Sequence, residues 1–278
     1  MPLLTRFLRV TLLALLVSAL GGGPTAAAEE KPPRRGNEAA EVRPANPALE
    51  EAIRKLKLPG VTINLEGRFV DIEAVICLDR GMLELVACTK GSKEHESIVA
   101  IEARPMHIHT ALLLLGTKAG NPAILRPPRG EEQGWINQPP RGGGVEVFLV
   151  FPDKAGKLAE HPISRFITRS PAEAEVRRDD PADQRKDGTF PTHTFLFAGS
   201  RLVGDGPDPR RYLSDESGNV ISVVTFGDEL LCLPEIHSDQ KNSLEWQVNA
   251  AGLPAVGTQV TLRLRPQASP ATKQPAAK

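Results

Sequence analysis

The sequence lacks the short motifs that identify many enzymes and cofactor-binding proteins. No Cys-x-x-Cys pair occurs among its three cysteines, Cys77, Cys88 and Cys232, which argues against zinc ribbons and iron–sulfur clusters. It contains no G-x-x-x-x-G-K-[ST] phosphate loop, no G-x-G-x-x-G fingerprint and no G-x-S-x-G elbow. The H-E-x-x-H metalloprotease motif also fails, because Val99 stands where the second histidine is required. We therefore expect no cofactor on the basis of motifs.

The sequence also lacks an excess of charge of either sign. Its 34 Lys and Arg residues balance 34 Asp and Glu residues. Loss of the signal peptide described next would remove Arg6 and Arg9, leaving 32 basic and 34 acidic residues and a net charge of −2. This balance gives no electrostatic basis for binding nucleic acid or an anionic membrane. The expected partner is a protein or a small molecule.

The first 28 residues have the three parts of a secretory signal peptide. Arg6 and Arg9 precede an apolar run at residues 10–20, and three alanines at residues 26–28 provide a small-residue cleavage site. The apolar run is shorter than the roughly 20 residues that a membrane-spanning helix needs. We predict cleavage after Ala28, export to the periplasm or the extracellular medium, and no stable membrane anchor afterwards.

The rest of the chain divides into one domain with a tail at each end. Residues 29–45 lack apolar periodicity and are predicted to be a disordered linker, and residues 267–278 are predicted to be a disordered tail. Residues 46–266 alternate short β-branched runs with turns. They predict a single α+β domain built mainly of antiparallel sheet, as two packed sheets or one strongly curved sheet. A short N-terminal helix follows the cap signal Asn46-Pro47.

The densest apolar run of the mature chain predicts a strand followed by a helix. Three of residues 97–102 are β-branched, as is typical of a packed strand. Pro105 suits the first turn of a helix, where its missing N–H would have had no partner. The residues after it are apolar almost all round, which predicts one buried helix around residues 105–116. We expect Leu113 or Leu114 to pack against the neighbouring strands.

A turn signal at residues 79–81 predicts that residues 70–78 and 82–88 pair as a hairpin. In that register Cys77 and Cys88 would lie far apart on opposite faces, outside the reach of a disulfide. The expected state is three buried thiols. A bridge from the third cysteine to either of these two remains open at this stage.

Several segments of the chain together resemble the YdjY-like domain family. They are Lys93-Glu94-His95-Glu96-Ser97, residues 108–116, Phe197-Ala198-Gly199-Ser200 and residues 217–222. The resemblance covers most of residues 61–266 and implies an exported bacterial protein. It implies no established activity, so no catalytic residue is carried over from the family. Some relatives are described as ferredoxin-like, but this sequence lacks the cysteine cluster that an iron–sulfur protein uses.

Two functions are compatible with these features. The first is an exported, non-catalytic binding or interaction module, in which loops on a rigid scaffold carry recognition. The alternative is a metal-dependent, hydrolase-like enzyme that uses His95, Glu96 and His109, with His193 as a fourth ligand. Imidazole and carboxylate groups form a suitable set for a divalent metal such as zinc. Convergence of the four side chains in one pocket would favour the enzyme, and dispersal would favour the binding module.

Overall fold

A computed structural model describes residues 55–130, 136–171, 188–237 and 244–268, together with Glu51 and Ile53. The predicted signal peptide and linker lie outside the described residues, as do residues 269–278 of the predicted tail. Glu51, Ile53 and Lys55 are helical, in agreement with the predicted N-terminal helix.

Sixteen strands and, besides the N-terminal helical residues, two α-helices have both ends within the described residues. The strands are β1 (Val61–Asn64), β2 (Phe69–Ile76), β3 (Leu85–Thr89), β4 (Ser97–Ile101), β5 (Ile124–Arg126), β6 (Ile136–Gln138), β7 (Gly144–Pro152), β8 (Leu158–Pro162), β9 (Ile167–Arg169), β10 (Thr194–Phe197), β11 (Leu202–Val203), β12 (Arg211–Tyr212), β13 (Asn219–Ser222), β14 (Leu231–Cys232), β15 (Trp246–Val248) and β16 (Gln259–Pro266). The helices are α1 (Pro105–Leu114) and α2 (Leu213–Ser217), and short 3-10 turns occur at Glu94–Glu96 and Ile163–Phe166.

Eight of these strands close into a barrel. Their order is β2-β16-β7-β10-β14-β13-β3-β4, and β4 pairs back with β2. Neighbours are antiparallel except for two parallel pairs, β13–β14 and β3–β4. The expectation of a mainly β domain is confirmed, but the two packed sheets considered above are replaced by one sheet that closes on itself. Closure pairs both edges of the barrel sheet, which would otherwise be open to other chains.

Alternation along β2 shows how the sequence fills the barrel. Val70, Ile72, Ala74 and Ile76 are buried, whereas the residues between them lie partly or fully exposed. Successive side chains of a strand point to opposite faces, so every second residue enters the core. Further core side chains come from the strands that complete the barrel: Val145, Val147, Leu149, Phe195, Phe197, Leu262 and Leu264.

Helix α1 begins at Pro105, as predicted, and packs one face against this core. Ile108, Ala111 and Leu112 are fully buried along that face. Leu113 is 48% exposed and Leu114 is partly exposed, so the prediction that one of these two leucines is buried was wrong. Each residue turns about 100° around a helix, and one step beyond Leu112 takes the side chain off the packed face.

The predicted hairpin of residues 70–78 and 82–88 does not form. Strand β4 lies between β2 and β3 and pairs with both of them. The turn at residues 79–81 directs the chain toward β15 instead, since Leu83 N donates to Trp246 O at 2.9 Å. Strand β3 then gains two partners, β13 and β4, and is buried over nearly its whole length.

Candidate functional site

Glu96 belongs to a cluster of charged side chains. The His95 side chain is 78% exposed, and its Nε2 lies 3.6 Å from Glu96 Oε2. Lys93 Nζ lies 3.5 Å from Glu96 Oε1, 3.3 Å from Glu84 Oε2 and 3.6 Å from the centre of the Phe226 ring. Burial and the neighbouring Glu96 carboxyl raise the pKa of Glu84. One cation is therefore shared between two carboxyl groups.

His109 projects from α1 into a buried aromatic contact. Its Nδ1 lies 2.9 Å from the Tyr212 hydroxyl, which donates to Gly199 O at 2.9 Å. Because that hydroxyl proton is used on the carbonyl, Nδ1 of the neutral ring carries the proton in this contact. The ring also meets Phe197 edge-on at 4.8 Å, and burial lowers the pKa of His109. These contacts of His109 link α1 to β10 and β12.

The segments that carry the family resemblance meet next to this contact. Ser200 Oγ accepts from Ser214 N at 3.0 Å and donates to Asp228 O. Asn219 Nδ2 donates to Asp228 Oδ1 at 2.7 Å, and Ser214 Oγ donates to Asn219 O at 2.6 Å. Residues 197–200 and 217–222 thus belong to one buried hydrogen-bonded unit. A structural role therefore accounts for part of the sequence pattern that resembles the family.

His193 lies on the outer side of the barrel, apart from the other three candidates. Its ring is 5.3 Å from that of Phe148, and its Nε2 is 3.8 Å from Glu146 Oε1. The structure thus brings together only His95 and Glu96 of the four proposed ligands. Across the described ranges, no group of three or more His, Cys, Asp or Glu side chains is arranged to hold a metal ion.

A cleft of about 430 Å³ opens on the outer side of the barrel. It lies where the edge of β2 changes partner, since Ile72 pairs with β1 and Ala74 pairs with β4. The lining residues are Pro59, Gly60, Glu73, Ala74, Val75, Cys77, Lys90, Glu94, Ala100, Glu102, Ala103 and Gln259. Five of these twelve residues lie in paired strands, namely Glu73, Ala74, Val75, Ala100 and Gln259, and they form the part of the lining that the barrel holds in place.

The cleft has an acidic rim around an apolar floor. Three glutamates and one lysine line it, which gives a net charge of −2 when all are ionised. Lys90 Nζ is 2.6 Å from Glu102 Oε1, so this lysine is already paired. Glu94 Oε1 accepts from Gly91 N at 2.7 Å, and Glu73 lies on the exposed face of β2. The carboxylates of Glu73 and Glu94 therefore give the cleft its negative potential.

Cys77 lines the cleft, and its side chain packs against a buried cluster that contains Cys88. Cys77 is partly exposed and Cys88 is fully buried, and both are free thiols. Their predicted placement on opposite faces was wrong, because Cys77 lies beside Ile98 and Cys88 opposite Ala100, and these two residues are on the same face of β4. Cys77 N donates to Ile98 O at 3.0 Å, and its Sγ donates to Ser97 O at 3.1 Å. Cys88 pairs with Ala100 two residues further along β4.

The two thiols have opposite pKa shifts. The interaction with Cys77 lowers the pKa of Cys88 to about 6, and the hydroxyls of Ser97 and Ser92 act in the same direction against the effect of burial. The same interaction, burial and the charge of Glu94 raise the pKa of Cys77.

These features define a class of protein, a closed eight-stranded β-barrel domain with one packed helix and a cleft on its outer side. The YdjY domain model matches residues 61–265, and the chain belongs to the YdjY domain family. Neither the curated proteins nor the solved structures yield a match. In the part of the chain that the structure describes, no helix has the length and apolar character needed to cross a membrane.

Proposed function

We propose that this chain is an exported, non-catalytic binding module whose cleft takes up a small ligand with a positive charge. The cleft of about 430 Å³ is the observation that carries this proposal. Its size falls within the roughly 300–1,000 Å³ typical of small-molecule sites. It combines an apolar floor with a few polar groups, as such sites usually do.

The charge of the lining supports a cationic ligand. Glu73 and Glu94 line the cleft and form no salt bridge with a lysine or arginine of the described residues, whereas Glu102 is paired with Lys90. A carboxylate at the edge of a low-dielectric wall attracts a cation more strongly than it does in bulk water. The floor formed by Val75, Ala100 and neighbouring alanines suits a short alkyl chain behind the charged group.

Dispersal of the candidate ligands favours this function over the metal-dependent enzyme. His95 is exposed, His109 is hydrogen-bonded to Tyr212 inside the protein, and His193 lies on the outer side of the barrel. No observed contact favours hydrolase chemistry at these residues. Elemental analysis of the purified mature protein tests the alternative directly, since stoichiometric zinc that is lost in His95→Ala would support it.

A matched pair of probes tests the binding proposal. Butylguanidinium and butylurea are nearly equal in shape, but only the first is charged. We expect butylguanidinium to shift the amide NMR signals of residues 73–77 and 100–103, with little effect from butylurea. Glu73→Gln combined with Glu94→Gln should weaken the binding of butylguanidinium about tenfold, or roughly 1.4 kcal/mol.

The control is Glu66→Gln, which removes one exposed carboxylate that does not line the cleft. It should leave the affinity for butylguanidinium unchanged. Equal shifts from both probes, or shifts that map to another face of the barrel, would contradict the proposal.

A further inference from the structure

A second, smaller cavity of about 210 Å³ shares no described lining residue with the cleft. It is bounded by β5, by Arg129 beyond that strand, by Arg201, and by the turn at Phe226 and Gly227. A Cβ atom added to Gly227 would lie 3.3 Å from Ala123 O, so the turn lies directly against the start of β5. The cation-binding function proposed for the cleft makes no use of this cavity.

Positive charge dominates the lining of this second cavity. Among the described residues, the lining contains Arg126, Arg129 and Arg201 and neither aspartate nor glutamate. A guanidinium group presents a planar set of N–H donors that matches the oxygens of a phosphate, often through two parallel hydrogen bonds. The cavity therefore has the charge and the donors that an oxyanion requires.

Arg201 is the arginine on which binding in this cavity depends. Arg126 and Arg129 have other partners as well. Arg211, in the strand that pairs with β11, forms a salt bridge with Glu216 at 3.0 Å. Arg201 directly precedes β11, and it forms no salt bridge within the part of the chain that the structure describes. Its charge is thus available to an anion in the cavity.

The backbone beside Arg201 is held in place against the turn. Ser200 has a φ of 53°, in the left-handed region that residues other than glycine seldom adopt. Its N–H donates to Glu229 O at 3.1 Å, and its hydroxyl donates to Asp228 O. These bonds link the residue before Arg201 to the chain immediately after Gly227, so the arginine and the turn keep their relative positions.

Apolar side chains form the rest of the wall. Ile124 and Phe226 are partly exposed and Leu125 is 51% exposed, and all three line the cavity. Covering apolar surface of this kind with an apolar group of a ligand removes it from water and stabilises the complex. The lining thus combines donors for an anion with a surface for a short hydrocarbon chain.

We propose that this cavity binds a phosphate monoester that carries a short apolar group. At pH 7 such a phosphate has a charge of about −1.5 to −2, which suits a lining of several arginines better than a single carboxylate does. The volume of about 210 Å³ is below the roughly 300–1,000 Å³ typical of small-molecule sites, so it suits one phosphate and a short chain rather than a nucleotide. The phosphate accepts hydrogen bonds from Arg201, and the chain lies against Leu125 and Phe226.

Hexyl phosphate is the probe, and hexanoate, inorganic phosphate and 1-hexanol are its counterparts. We expect hexyl phosphate to shift the amide NMR signals of residues 123–126, 201 and 226–227 and to bind more tightly than any of the other three. Arg201→Gln should weaken the binding of hexyl phosphate about tenfold. Arg210→Gln is the control, since it removes another exposed arginine that does not line the cavity, and it should leave the affinity unchanged.

The proposal is overturned if one of the three counterparts binds as tightly as hexyl phosphate, if the shifts map to another face, or if both arginine substitutions weaken binding equally. The comparison of probes uses the wild-type protein alone and stands whatever the stability of the variants. Butylguanidinium should bind equally to the wild type and to Arg201→Gln. Failure of the phosphate site is therefore distinguishable from failure of the cationic cleft.

Discussion

The side chain of Cys77 packs against the buried cluster that contains Cys88, although β4 lies between β3, which carries Cys88, and β2, which ends just before Cys77. The contact depends on the closed barrel, since β4 pairs with β2 on one side and with β3 on the other. Cys77 reaches over β4 to the carbonyl of Ser97, at the start of that strand. A pair of residues eleven positions apart in the sequence is thus brought together by three strands.

This contact predicts a thiolate at neutral pH. Absorbance of the thiolate near 240 nm should rise with a midpoint near pH 6 in the wild-type protein, since the pKa of Cys88 is lowered to about 6. Cys88→Ala should abolish this step, and Cys77→Ala should move it to higher pH because the thiol that stabilises the anion is removed. Cys232→Ala should leave the step in place. A wild-type protein with no thiolate below pH 8 would show that the contact does not stabilise the anion.

The lowered pKa of Cys88 also affects how stability depends on pH. The folded pKa of Cys88 is lower than its usual value of 9.0, so the thiolate stabilises the folded state above pH 9. That contribution declines as the pH falls from about 9 to about 6. The raised pKa of Cys77 acts in the opposite sense above pH 9, because only the unfolded chain then loses that proton.

Adjacent leucines on α1 offer a matched test of its packing. Leu112 is fully buried and Leu113 is 48% exposed. Leu112→Ala should lower the free energy of unfolding by about 2–5 kcal/mol, because it leaves a cavity against the barrel. Leu113→Ala should cost less than about 1 kcal/mol. Urea unfolding measures both values, and equal losses would mean that a different face of the helix meets the core.

The local elements could be predicted from the sequence, but the contacts between them could not. Pro105 and the apolar run after it specify α1, and alternation specifies β2. The pairing of β3 with β4 and β13 depends on closure of the barrel. The sequence of residues 85–89 does not indicate these partners. The turn at residues 79–81 favoured a hairpin, and that incorrect register placed Cys77 and Cys88 on opposite faces.

Export is predicted from the first 28 residues, which lie outside the described structure. Expression in a bacterial host followed by mass spectrometry of the envelope and medium fractions should find a mature chain that begins at Glu29. Replacing Ala26 and Ala28 by arginine should block cleavage, because the site requires small residues. A mature protein that still begins at Met1 would contradict this prediction.

The Tyr212 hydroxyl joins His109 on α1 to the carbonyl of Gly199. Tyr212→Phe keeps the ring but leaves a buried imidazole N–H and a buried carbonyl without this partner. We expect a loss of about 1–3 kcal/mol in the free energy of unfolding. His193→Ala removes a half-exposed imidazole from the outer side of the barrel and should change the stability much less. Equal effects of the two substitutions would mean that the buried bridge contributes little.

Burial of His109 also predicts how stability depends on pH. The pKa of the folded ring is below its usual value of 6.5, so between 6.5 and the folded pKa the unfolded chain binds a proton that the folded chain does not. The free energy of unfolding should therefore fall as the pH drops below about 6.5. Urea unfolding from pH 7.5 to pH 5 should show a shallower fall in His109→Gln than in the wild type. His95→Gln, at a side chain that is 78% exposed, should keep the wild-type slope, and an unchanged slope in His109→Gln would show that this histidine is not the group responsible.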